Sequence, residues 1–524
     1  MNTPQNLPNT GFEPLNVTNS LPSPVSGTSA QSSIPGTSIP GQDDFEQQQV
    51  QQTGRDVDAF VPRRPKNLKA SGLSINDMSP LLLKFLFLHG VQSGIQISQQ
   101  VKLPFEVVEP LLSELKADLL VSIKSASVVG DYIFELTPKG VEQAKLHLER
   151  STYCGAAPVS LFEYCDAVNR QSIKNAKPKY QDVNHAVSDM VISQFMVSQV
   201  GQAINGGKSM FLYGPPGNGK SMIARRAIQS IGKSVWIPRS LSVGGDVIRL
   251  FDPIVHKVAP LPENDSITLD NEIDERWVRI ERPCIVVGGE LTLAHLEAKV
   301  NEVTGIIESP VHLKSNCGCL VVDDFGRQQC STNELLNRWI VPMESGYDHI
   351  TLPSGRQIQL PFDQLLIFST NLEPEEICDE AFLRRIPYKI EVFDPTESQY
   401  RELFHDLVNK FGIQTDESVL EYLIEYHYKR VNRPFRFCHV QDLLFQARDF
   451  CEFHDQPWTL SKEIAELACT NYFSGIVYKD VPKKSWSTNS TPGGEVYCPA
   501  VAGLERYALG AIRFSNALPI LGHN

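Results

Sequence analysis

The chain has 524 residues, of which 41% are hydrophobic and 21% charged, and its formal net charge is −13. A chain of this size holds about two to four domains, each with its own core, and its composition is that of a globular protein. The acidic balance gives no electrostatic reason to expect nucleic acid, and no run of about 18 apolar residues occurs, so no membrane span is expected.

The amino terminus, MNTPQNLPNTGFEPLNV, has neither a basic start nor an apolar centre, so it does not read as a secretory signal. The cysteines number 11 and show no paired spacing, which fits a reduced, cytoplasmic protein better than a disulfide framework. Residues 1–66 are rich in Pro, Ser, Thr and Gln. They hold too little apolar surface to offset the entropy of ordering, so this stretch reads as a disordered tail, serving as a tether or carrying a docking motif.

Residues 67–150 read as one small α+β domain. SPLLLKFLFLHG (79–90), GIQISQQVKL (94–103) and PFEVVEPLLSELKADLLV (104–121) are three helices; VSIKSASVVGDYIFELT (121–137) is a pair of strands turning at Gly130 and Asp131; PKGVEQAKLHLER (138–150) is helical again. That order resembles a winged helix-turn-helix. A helix that reads DNA presents cations and amides to bases and phosphates. Here the third helix carries Glu106, Glu109, Glu114 and Asp118 against Lys116, so docking to protein is favoured over DNA. Residues 151–204 form a connector that includes SLFEYCDAV (160–168) and a helical stretch at 189–204. Strands and helices alternate over 205–395, residues 396–480 are mostly helical, and 481–524 are a C-terminal extension of loop and one short helix (504–514).

The strongest chemical signal is SMFLYGPPGNGKSMIARRAIQSIG (209–232). A strand ends at Tyr213, a helix begins near Lys220, and between them Gly214, Gly217 and Gly219 follow the spacing G-x-x-x-x-G-K-S. Such glycines let backbone N–H groups wrap phosphate at the positive end of a helix. The cradle runs from Gly214 through Pro215, Pro216, Asn218 and Lys220 to Ser221 and Met222. Lys220 is expected to reach the outer phosphates of ATP, and the Ser221 hydroxyl to hold Mg²⁺.

GPPGNGKS, with two prolines in the loop, resembles the AAA+ ATPases, which implies a P-loop α/β core with a parallel sheet and a C-terminal helical lid. CLVVDDF (319–325) then looks like Walker B. Asp323 would serve Mg²⁺, and Asp324 stands where the family usually has a water-polarising glutamate. QLLIFSTNL (364–372) looks like sensor 1, with Asn371 positioning water and phosphate and Thr370 the weaker candidate. DEAFLRRIPYKIEV (379–392) resembles the segment that gives an arginine to the neighbouring subunit. Arg385 aligns as that finger and Arg384 is the runner-up, with a plain surface pair as the bland reading. A finger given in trans implies a homo-hexamer. HITLPSGRQIQLP (349–361) has the form of the β-hairpin found before sensor 1 in the branch holding MoxR-like ATPases, magnesium chelatase and enhancer-binding activators. The wording is also similar to bacterial chaperone-like AAA+ proteins linked to pilus assembly, which implies an unidentified protein client.

This sequence departs from the family in two places. RVNRPFRFCHVQDLLFQARDF (430–450) puts Gln441 where the lid arginine aligns, with Arg433 and Arg436 nearby, and Arg436 is taken as the phosphate contact. RSLSVGGDVIRLFDP (239–253), read as following the second strand, lacks the aromatic of a peptide-threading loop. Segment 254–316 is an insertion that either contacts a client or packs against the core. Cys317 and Cys319 are expected in a strand, with no zinc. Finally, the Asp324 carboxylate stops about 1.5 Å short of where a glutamate would reach, so real but slow hydrolysis is expected.

Overall fold

The structure, a computed structural model, describes residues 60–126, 130–261 and 273–474, all within the compact unit that begins at Asp58. The tail is shorter than composition implied. Phe60 meets Trp277 edge-on at 5.4 Å between ring centroids, and the Pro62 carbonyl accepts from the Asp274 amide. A single aromatic with a ring to pack against outweighs its polar surroundings. The remainder of that stretch and the expected helix at 504–514 lie outside the described residues.

The N-terminal part runs α1 (Ile75–His89), β1 (Gln92–Ser93), α2 (Gly94–Val101), α3 (Phe105–Ala117), β2 (Val121–Ala126), β3 (Tyr132–Leu136) and α4 (Pro138–Arg150). Its three strands lie in the order β1-β3-β2 and are antiparallel. α1 begins at Ile75 rather than 79 because Ser74 and Asp77 cap each other's backbone amides. The expected turn residue Asp131 is buried, and its carboxylate accepts from the Gly94 amide at 2.9 Å, so the hairpin turn caps α2. The core gathers Leu82, Leu86, Val108, Leu112 and Phe134.

A connector follows, with β4 (Val159–Ser160), α5 (Leu161–Arg170), α6 (Tyr180–Ala186) and α7 (Gln194–Asn205). The α/β core then contains β5 (Met210–Tyr213), α8 (Lys220–Ala227), β6 (Ser234–Pro238), β7 (Ser240–Val243), β8 (Asp246–Arg249), β9 (Trp277–Glu281) and β10 (Cys284–Val287). It continues through β11 (Lys299–Val300), β12 (Ile307–Glu308), α9 (Val311–Lys314), β13 (Cys319–Val322), α10 (Thr332–Ser345), β14 (Tyr347–Thr351) and β15 (Gln357–Pro361). It closes with β16 (Leu365–Thr370), α11 (Pro374–Ile377), α12 (Glu380–Leu383) and β17 (Tyr388–Glu391).

The central sheet has the order β10-β13-β16-β5-β17, every neighbouring pair parallel. Strands covered on both faces need unbroken apolar runs, and β13 and β16 are buried at every residue. Met196, Val200 and Ile204 of α7 pack on this sheet against Met210 and Leu212.

The strand after α8 corrects the sequence reading. β6 is not in the central sheet but pairs antiparallel with β9, and β10 is the sheet's next strand. The loop that follows the sheet strand is therefore GGELT (288–292), which also lacks an aromatic. A second sheet, β11-β12-β8-β7-β4, shares a core with the β14–β15 hairpin through Leu241, Ile248, Ile350 and Leu360. The hairpin turns at Ser354 and Gly355 as expected, and its tip is docked: Ser354 Oγ donates to Asp246 Oδ2 at 2.8 Å. Cys319 opens β13, whereas Cys317 sits before it in a left-handed turn at φ 61°.

The helical C-terminal region comprises α13 (Glu397–Phe411), β18 (Gln414–Thr415), α14 (Glu417–Tyr422), α15 (Phe437–Phe453), β19 (Thr459–Leu460) and α16 (Lys462–Phe473). The whole is an α/β P-loop core followed by a helical region. Among the described residues no helix is long and apolar enough to cross a membrane.

His439 lies among the rings of Tyr428, Tyr472 and Phe473 in this last region. Burial pushes its imidazole down from 6.5 to about 3, and the Arg436 and Arg433 guanidiniums add to the fall. The folded chain holds it neutral while the unfolded chain protonates it. Its contribution to stability is therefore complete above the unfolded value and drains as pH falls toward the folded one, by about 4 kcal/mol. The denaturation midpoint should drop through that window, and His439→Gln should flatten the drop. An unchanged pH profile in the variant would refute this assignment.

Candidate functional site

The order of the central sheet decides which side chains meet. β16 lies between β5 and β13, so the carboxyl ends of three adjacent parallel strands deliver the phosphate loop, Asn371 and Asp323 to one crevice. The loop's glycines meet backbone demands that no other residue meets as well. Gly214, Gly217 and Gly219 have φ of 124°, 85° and 76°, and a Cβ on Gly214 would stand 2.6 Å from the Val392 carbonyl oxygen.

Lys220 opens α8 behind the loop. Its ammonium donates to the Gly214 carbonyl at 2.8 Å, the Pro215 carbonyl at 2.9 Å and Asn371 Oδ1 at 2.7 Å. The other end of the Asn371 amide donates to Asp324 Oδ1 at 3.3 Å. Ser221 Oγ donates to Asp323 Oδ2 at 2.8 Å. Burial holds the Lys220 ammonium below the usual lysine range, and the Asp323 and Asp324 carboxylates oppose that shift. Met222 follows on α8 with its side chain exposed.

Asp324 adopts φ 47°, in the left-handed region, while its own amide donates to Asp323 Oδ1 at 3.1 Å. Gln328 holds this turn by donating from Nε2 to the carbonyls of Asp323 (3.1 Å) and Asp324 (3.3 Å). Thr370 turns away from the crevice, donating from Oγ1 to the Phe325 carbonyl at 3.0 Å.

The helical region reaches the same loop. Arg436 Nη1 donates to the Pro216 carbonyl at 3.2 Å, and the Cys438 amide donates to the Gly217 carbonyl at 3.0 Å. Arg433 goes elsewhere: its guanidinium lies over the Phe473 ring and donates to the His427 carbonyl. Asn218 is buried, donating from Nδ2 to Asp394 Oδ1 at 2.7 Å and accepting from the Phe437 amide at 3.4 Å.

Arg385 takes part in none of these contacts. It donates from Nε to Glu344 Oε1 at 2.6 Å and from Nη1 to the Ala381 carbonyl at 2.8 Å. Arg384 makes an exposed pair with Glu380, one helical turn back.

Sequence reasoning missed Asp394, Cys438 and Gln328. The available signal for the first was an Asp-Pro pair just past the last sheet strand, where the chain must leave the core. Cys438 and Gln328 act chiefly through contacts that no spacing announces.

A family described as a domain of unknown function (DUF8689) matches residues 396–471, which is the helical region. No curated protein matches the chain. Among solved structures, a RuvB Holliday junction branch migration motor from Thermotoga maritima is similar at 12% identity, covering 56% of this chain and 74% of that one, with a TM-score of 0.31. NtrX from Brucella abortus in complex with ATP is similar at 11% identity, covering 62% and 60%, with a TM-score of 0.33. A magnesium chelatase BchI–BchD complex is similar at 13% identity, covering 54% and 93%, with a TM-score of 0.26. Likenesses of this size do not bear on activity.

Proposed function

We propose that this chain is a magnesium-dependent ATPase of the AAA+ type that works as a homo-hexameric ring and remodels or assembles a protein partner, in the manner of a chaperone. The observation that carries the reading is the continuous Lys220–Asn371–Asp324 chain beside the Ser221–Asp323 pair.

The residues fit a magnesium nucleotide. Ser221 Oγ and Asp323 Oδ2 are hard oxygen donors 2.8 Å apart, as Mg²⁺ prefers. Bound Mg-ATP supplies the phosphoryl group, with the metal taking up phosphate charge. Lys220 is already poised by Asn371 and exchanges two neutral carbonyls for phosphate oxygens. Asp324 and Asn371 orient the attacking water. Arg436 reaches the outer phosphate from the lid, and Arg385, whose place outside its own site fits a finger given in trans, stabilises the transition state in the next subunit.

The hairpin just before β16 supports the MoxR and magnesium-chelatase branch. The exposed face of α3, which carries Glu106, Glu109 and Glu114, with Asp118 just past its end, supports protein rather than DNA as the partner of the winged-helix-like domain. The described part of the insertion supports packing over client contact, because Arg276 within it is buried in internal bonds.

Phosphate release from Mg-ATP by the purified protein tests the reading. Release should be slow yet above background, and Lys220→Ala should abolish it. Equal release by both proteins, or none by either, would overturn the assignment.

A further inference from the structure

The Asp394 carboxylate stands where three parts of the fold meet. β17 leaves the sheet through Val392, whose carbonyl crosses close under Gly214 at the start of the phosphate loop. Two residues on, Asp394 Oδ1 accepts the 2.7 Å hydrogen bond from Asn218 in that loop. Pro395 and Thr396 then lead straight into α13, so Asp394 sits at the joint between sheet and lid. From the lid side, Arg436 Nε lies 3.9 Å from the same Oδ1.

Arg436 occupies the position just before α15, a helix of 17 residues, and makes no side-chain capping bond there. A cation there faces the positive end of the helix dipole, where an anion is favoured. Asp394 is an anion within 3.9 Å of Arg436. A triphosphate in the loop would be a stronger one, and the 3.2 Å bond to the Pro216 carbonyl and the 3.9 Å approach to Asp394 are contacts it can replace.

We infer that Asp394 is a positioning residue: it holds Arg436 as a counter-ion while the loop is empty and competes with the outermost phosphate for that arginine when a triphosphate binds. The inference rests on the nucleotide reading of the site and adds a cause for discrimination between tri- and diphosphate. Once the outer phosphate leaves, Arg436 returns to Asp394 and the lid loses its hold on the product. Throughout, Asp394 keeps Asn218 oriented, because the Asn218 amide is fixed from its other end by Phe437.

The test uses the full chain with Mg²⁺ and fluorescent ATP and ADP analogues. Asp394→Asn keeps an acceptor for Asn218 and removes only the charge, so ATP should bind about two- to fivefold tighter, the size of one partly exposed ion pair, with ADP changed less. In an Arg436→Gln background the same substitution should have no effect. Asp394→Ala, which also cuts the Asn218 bond, should weaken both nucleotides. The thermal midpoint without nucleotide confirms that each variant is folded. Asp394→Asn weakening ATP, tightening both nucleotides alike, or acting unchanged without Arg436 would overturn the inference while the site reading stands. Absence of nucleotide binding by the unaltered protein would instead remove the reading on which it rests.

Discussion

Asp324→Asn is expected to lower ATP turnover about a hundredfold or more, the scale of a lost general base or water-positioning group, while ATP still binds and still raises the thermal midpoint. The amide keeps the shape but loses the charge that accepts from Asn371 Nδ2 and polarises water. The reverse substitution is as informative. Asp324 has φ 47°, a conformation that costs ordinary side chains roughly 1–2 kcal/mol and that Asp tolerates because its short polar side chain bonds locally. That backbone gives a physical reason for aspartate where the AAA+ pattern has glutamate. Asp324→Glu should therefore destabilise the nucleotide-free protein by about 1 kcal/mol and turn over ATP no faster than the native chain. Native turnover in both variants would show that this carboxylate has no role.

The phosphate loop could be read in advance because its demands are local. Gly214, Gly217 and Gly219 answer backbone angles within one turn, and Lys220 and Ser221 open the next helix. β13 and β16 were equally plain, since strands buried on both faces must be apolar throughout. The helices and hairpin of residues 75–150 were legible too, although Asp131 looked like a turn residue and proved to be a buried helix cap.

What escaped was everything set by long-range pairing. β6 has the composition of a sheet strand, yet its partner is β9 rather than β13. Apolar runs of similar length cannot announce which neighbour they will take. Asp394 meets Asn218 across 176 positions, and Arg276 meets Ser71 across 205, so neither contact leaves a spacing to find. Arg436, by contrast, was chosen from the sequence over Arg433 and Gln441, and it is the one that reaches the loop. Arg433 lies instead over the Phe473 ring.

Arg276→Met is expected to destabilise the chain by about 3–5 kcal/mol, the cost of leaving one member of a buried ion pair behind. The guanidinium is 1% exposed and fully engaged. Nε and Nη2 hold the Asp274 carboxylate, with Nη2 at 2.7 Å, and Nη1 donates to the Ser71 carbonyl at 3.0 Å and the Pro158 carbonyl at 3.1 Å. One side chain from the insertion thus ties the N-terminal domain and the connector to the core. Ser242 Oγ repeats the tie by donating to Asp77 Oδ1 at 3.0 Å. Denaturant unfolding measures the loss, and adding Asp274→Asn should recover part of it, because the stranded charge goes as well. A loss under about 1 kcal/mol would mean that the ion pair barely exceeds its desolvation cost. In that case early protease cleavage between residues 66 and 75 would show whether orientation, rather than stability, is what Arg276 maintains. Arg276 and Ser242 thus fix residues 71–77 to the α/β core at two separate points.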